Sequence, residues 1–136
     1  MRNFGLPFSC FLLILAAAIA LACGSSPRIL ESVSISPPSA DANGSPVQFT
    51  ATGNYNGLPF QVSPLTATWG VCYQGNETSG VSVSKNGLAQ CAAGAAGTFA
   101  VWASAPSGST GACPQACTAC GGCGCQVTGT AQLTCP

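Results

Sequence analysis

From residue 29 onward, apolar and polar positions alternate in short runs separated by Pro, Gly, Asn and Ser. Ser32-Val33-Ser34-Ile35-Ser36 alternates cleanly and stops at Pro37-Pro38, which predicts an edge strand. A polar loop follows over residues 39–46. Val47, Phe49, Ala51, Gly53 and Tyr55 then share one face, opposite Gln48, Thr50, Thr52 and Asn54, and Asn56-Gly57 marks a turn. Leu65, Ala67, Trp69 and Val71 form the next apolar face, which assigns Trp69 to the core. Val81 and Val83 alternate with serines, and Lys85-Asn86-Gly87 predicts a tight hairpin turn from which residues 88–92 return. Phe99, Val101 and Ala103 line another inward face, and residues 127–133 supply the last strand. No segment has helical periodicity. About seven short antiparallel strands in a hundred residues predict an all-β sandwich.

The first 22 residues follow a different pattern. Arg2 precedes residues 11–22, an apolar run with no charge. The run is shorter than the ~20 residues of a membrane span and ends in small residues, as a secretory signal peptide does. Ala20-Leu21-Ala22-Cys23-Gly24 follows, and this stretch resembles the lipobox of bacterial lipoproteins. The resemblance implies cleavage before Cys23, acylation of that cysteine, and anchoring of the protein to a membrane. Gly24 is not the aspartate that retains many such lipoproteins at the inner membrane, so the expected destination is the outer membrane or cell surface. The organisation expected is therefore a signal peptide over residues 1–22, a lipidated cysteine and tether over 23–28, and a folded domain over 29–136.

Composition narrows the chemistry. The full chain carries three basic residues, three acidic residues and no histidine, for a net charge of zero. So few cations give no handle on a nucleic acid backbone. Without histidine, Ser-His-Asp and Cys-His sites cannot form, and three carboxylates well separated in sequence make no acid–base pair. A non-enzymatic protein without a cofactor is expected.

An ordered set of stations resembles a known family. These are Val33-Ser34-Ile35-Ser36-Pro37, Gln48-Phe49-Thr50-Ala51-Thr52-Gly53-Asn54-Tyr55, Thr66-Ala67-Thr68-Trp69, Val81-Ser82-Val83-Ser84-Lys85-Asn86-Gly87-Leu88-Ala89 and Gly97-Thr98-Phe99-Ala100-Val101. Together they look like the bacterial immunoglobulin-like domain, group 2, over residues 29–105, with residues 127–135 as the closing strand. The resemblance implies an immunoglobulin-like sandwich acting in surface adhesion, in binding of a glycan or protein ligand, or as a structural module. It brings no catalytic residues. The chain departs from the family in its cysteines and in residues 107–126, a Cys-rich insertion before the last strand. The bridge that antibody-type domains form between their second and sixth strands is absent, because residues 48–55 and 98–104 contain no cysteine.

Setting aside Cys10 in the signal peptide and Cys23 at the lipidation site, eight cysteines remain: Cys72, Cys91, Cys113, Cys117, Cys120, Cys123, Cys125 and Cys135. An even number in an exported chain predicts disulfides. Parsimony pairs Cys72 with Cys91, the two outside the C-terminal region, although Cys72 has outward parity on its strand. The other six would staple the insertion onto the final strand. Such a loop, poor in large apolar residues, cannot offset its own ordering entropy, and one bridge across it contributes roughly 3 kcal/mol. The alternative is a thiol-based metal-binding or redox site at Cys117, Cys120, Cys123 and Cys125, whose CxxCxxCxC spacing suits soft metals. Trp102 has the opposite parity from Phe99, Val101 and Ala103. It projects from the sandwich either as the floor beneath the cysteine loop or as a platform on which a sugar ring stacks. The sequon Asn76-Glu77-Thr78 is read as a chance match.

Overall fold

The computed structural model describes residues 27–109, 120 and 124–136. These residues build an all-β fold of antiparallel and mixed sheets with no helix among them. Strands β1 (Leu30–Ser36), β4 (Thr50–Tyr55) and β5 (Gln61–Val62) form one sheet in the order β1-β4-β5. A second three-stranded sheet has the order β3-β9-β8, from β3 (Val47–Gln48), β8 (Val81–Val83) and β9 (Leu88–Cys91). Only Phe49 separates β3 from β4. Its N–H donates to the Gly87 carbonyl at 2.9 Å, so residues 47–55 run on as one bent strand that joins the two sheets in a layer.

The facing layer has five strands in the order β2-β11-β10-β6-β7. It comprises β2 (Ser39–Asp41), β6 (Thr68–Tyr73), β7 (Asn76–Glu77), β10 (Gly97–Pro106) and β11 (Gln126–Cys135). Strands β10 and β11 are paired along their whole length, from Gly97 opposite Cys135 to Pro106 opposite Gln126. Strand β2 lies parallel to β11, where the chain has crossed from the first layer after Pro37-Pro38. Seven principal strands (β1, β3 with β4, β6, β8, β9, β10 and β11) thus make an immunoglobulin-like sandwich, and β2, β5 and β7 are short additions at its edges.

The alternation read from the sequence produces the core. Phe49, Val101, Ala103, Leu133 and Ala89 are fully buried, joined by Leu30, Ile35, Ala51, Phe99 and Ala131. Each large side chain among them contributes about 1.5–3 kcal/mol of burial energy. Close packing of the layers requires one small residue in particular: a Cβ on Gly129 would lie 2.4 Å from the Val33 carbonyl oxygen, so glycine lets β1 cross over β11.

Two local readings differ in detail. The β8–β9 turn is longer than a two-residue Asn-Gly turn. Gly87 donates to the Ser84 carbonyl at 2.9 Å, Ser84 donates to the Leu88 carbonyl at 2.9 Å, and Gly87 alone of the Asn86-Gly87 pair takes a positive φ, of 81°. The glycine thus occupies the left-handed position of a longer hairpin loop. Trp69 is half-buried and packs against the margin of the core instead of lying within it.

Candidate functional site

The cysteine pairing differs from the parsimonious one. Cys72 bonds to Cys120, with 5.8 Å between Cα atoms, and Cys91 bonds to Cys135, with 5.9 Å between Cα atoms. Parity explains both. Along β9, Ala89 and Cys91 face inward while Leu88 and Gln90 face outward. Cys135 continues the inward series Gly129, Ala131, Leu133 on β11. Their sulfurs therefore meet between the layers, and this bridge ties β9 to β11 at one end of the sandwich. It is an inter-sheet bridge on different strands from those used by antibody domains. Cys72 sits opposite Ala100 on the outer face of the five-stranded layer, so its sulfur cannot reach a sulfur between the layers. Its partner comes instead from the Cys-rich insertion.

Cys125 is also disulfide-bonded. With Cys120 and Cys125 both oxidised, two of the four sulfurs of the alternative cage at Cys117, Cys120, Cys123 and Cys125 are consumed. The cage cannot assemble in this oxidised state. Cys117 and Cys123, like Cys113 and Cys23, lie outside the described residues.

The outer face of β10 is not solvated in the way that strict alternation would give. Ser104 is 2% exposed, and Ala100 and Trp102 are half-buried. Ser104 Oγ donates to Gln126 Oε1 at 2.6 Å and accepts from Thr128 Oγ1 at 3.1 Å, so this buried hydroxyl is satisfied. Trp102 lies directly across from Gly70, and a Cβ on Gly70 would come within 2.1 Å of its ring. The indole thus occupies the space beside Gly70 that a side chain there would need. Its Nε1 is buried without a hydrogen-bond partner among the described residues. Cys120 is pinned to this same face through Cys72.

A cleft of about 410 Å³ opens beside this ring, at the margin between β6 and β8. Trp69, Gly70, Trp102, Glu77, Thr78 and Val83 are among its lining residues. Its lining combines two tryptophans with a glutamate and a threonine, a mixture that suits a polar ligand. Alternation assigned each tryptophan to a face but could not show that both border one cleft.

Another feature escaped the sequence reading. Leu58 is 78% exposed and Phe60 59% exposed, both in the β4–β5 turn. The available signal was two large apolar residues beside Asn56-Gly57, where a turn ordinarily carries polar ones. No protein-family model and no curated protein matches the chain. The fold alone defines its class, an all-β sandwich with immunoglobulin-like strand order, stabilised by disulfides.

Proposed function

We propose that this protein is an exported, lipid-anchored component of a bacterial cell envelope whose immunoglobulin-like sandwich serves as a non-catalytic binding module at the surface. The observation that carries this reading is the pair of long-range disulfides, Cys72–Cys120 and Cys91–Cys135. Such bridges persist in an oxidising, extracytoplasmic compartment. The signal-like residues 1–22 and lipobox-like Cys23 supply the route and the anchor, and Gly24 favours the outer membrane. Among the described residues no helix is long and apolar enough to cross a membrane.

The surface supports binding over catalysis. Histidine is absent from the whole chain, and Glu31, Asp41 and Glu77 are the only carboxylate side chains. We assign the tryptophan-lined cleft to a glycan or a polar loop of a protein ligand. Resemblance to the bacterial immunoglobulin-like domain, group 2, points the same way.

Intact mass of the mature protein, purified from membranes without reductant, tests the reading. The expected result is acyl chains on the N-terminal cysteine and no alkylatable thiol among the eight cysteines from Cys72 to Cys135. Bound zinc or iron, with four thiols opened by chelation, would return the chain to metal chemistry.

A further inference from the structure

We propose that the end of the sandwich bearing Leu58 and Phe60 rests on the lipid bilayer, with these two side chains set among the headgroups and upper acyl chains. The proposal deepens the reading above and rests on the anchoring of Cys23.

Four large apolar side chains are exposed among the described residues, and the two most exposed are Leu58 and Phe60. Neither belongs to the core cluster, so the fold does not explain why they are apolar. They share the tip of the β4–β5 turn, and that tip is bonded to the point where the chain departs toward Cys23. Ile29 N–H donates to Asn56 Oδ1 at 2.8 Å, and Asn56 N–H donates to the Ile29 carbonyl at 3.1 Å. Arg28 Nη1 donates to the Pro59 carbonyl at 3.4 Å, and its guanidinium lies 4.3 Å from the centre of the Tyr55 ring.

Tether length decides which end faces the membrane. Four residues lie between Cys23 and Arg28, so the reach is at most ~18 Å when fully extended. Strand β10 alone, at ten residues, is about 33 Å long. With acyl chains on Cys23, the Arg28 end is the end held near the bilayer. What stands there is an aliphatic side chain, an aromatic ring and one guanidinium, the combination that sits well at a lipid–water interface. Acyl chains fix the protein to the membrane, and the tip fixes its orientation.

The same placement holds the base of the Cys-rich insertion close to the bilayer. Leu30 N–H donates to the Ser107 carbonyl, and Ser107 N–H donates to the Cys125 carbonyl, each at 2.7 Å. Cys91–Cys135 marks the opposite, outermost end, and the tryptophan-lined cleft faces sideways.

The test uses the mature, acylated protein in phosphatidylethanolamine–phosphatidylglycerol vesicles, with and without bromine on the acyl chains. Two variants are compared with the unsubstituted chain: Phe60→Trp at the tip, and Ala93→Trp on an exposed loop at the opposite end. The expected result is that the indole added by Phe60→Trp emits at shorter wavelength and is quenched roughly twofold or more by bromolipid. The indole added by Ala93→Trp is expected to be unaffected. An acylated protein in which the tip indole is no more quenched than the distal one overturns the docking and leaves the anchoring intact. A tip signal that is blue-shifted but unquenched, and that depends on protein concentration, means a second copy covers the tip and also overturns it. If the mass of the same sample shows no acyl group and the protein washes from the vesicles, anchoring falls and the docking with it.

Discussion

Trp102 and Gly70 act as a pair, because the indole occupies the space a side chain at position 70 would need. A methyl there would approach the ring to 2.1 Å and cannot fit without displacing it. Gly70→Ala is therefore expected to destabilise the protein by about 1–3 kcal/mol, the usual range for overpacking. A changed tryptophan emission spectrum together with a lower denaturation midpoint checks this, and unchanged emission would mean the ring is held by something else. The outward parity of Trp102 was readable from the alternation of β10. Its burial was not, because the strand it lies against, with Gly70 opposite, is remote in sequence. Gly129 makes the same point at a backbone contact: a glycine inside a strand signals close approach, but only the packed layers show that Val33 is what approaches.

At the level of strands and turns, parity gave the outward face of Cys72 and not its partner. Cys91 faces inward on β9 and Cys135 inward on β11, so the two can meet only between the layers. Their separation of 44 residues makes the bridge worth about 4 kcal/mol on the chain-entropy model. The double variant Cys91→Ser with Cys135→Ser is expected to lose about 2–4 kcal/mol in chemical denaturation while keeping its β-sheet circular dichroism. A loss below ~1 kcal/mol would mean that β9 and β11 are already held by packing alone. Pairing Cys72 with Cys91 failed for a physical reason: one sulfur lies outside the five-stranded layer and the other between the layers. Most strand positions were legible because a half-buried strand must alternate. The division of residues 47–55 into β3 and β4 was not, since it follows from which neighbour each half finds.

Over the whole molecule, the two layers leave a cleft at the β6–β8 margin and an apolar tip at the tethered end. In the binding reading, ligand recognition belongs to the cleft, because its lining combines Trp69 and Trp102 with the polar groups of Glu77 and Thr78. Glu77 is exposed and can be changed with little effect on the core, whereas Thr78 is half-buried and its Oγ1 accepts from the Gly80 N–H at 3.0 Å. Glu77→Gln is expected to weaken binding of the anchored protein to envelope glycans or target cells about tenfold, with an unaltered denaturation midpoint. Undiminished attachment would move recognition to another surface. Removing one carboxylate in a protein of so little charge is also expected to leave the salt dependence of attachment nearly flat.

The order of residues was enough to set the all-β class, the inward faces of the principal strands, the absence of histidine-based chemistry, and the cysteine content that the oxidised structure uses. Those properties are local or compositional: a two-residue period, a missing residue type, an even count of sulfurs. Packing in three dimensions settled which sulfurs meet, that Trp102 fills the space beside Gly70, that both tryptophans border one cleft, and that Leu58 and Phe60 share an end with Arg28. Each of these depends on segments distant in sequence being brought to one place, and alternation along a strand carries no record of what arrives across it.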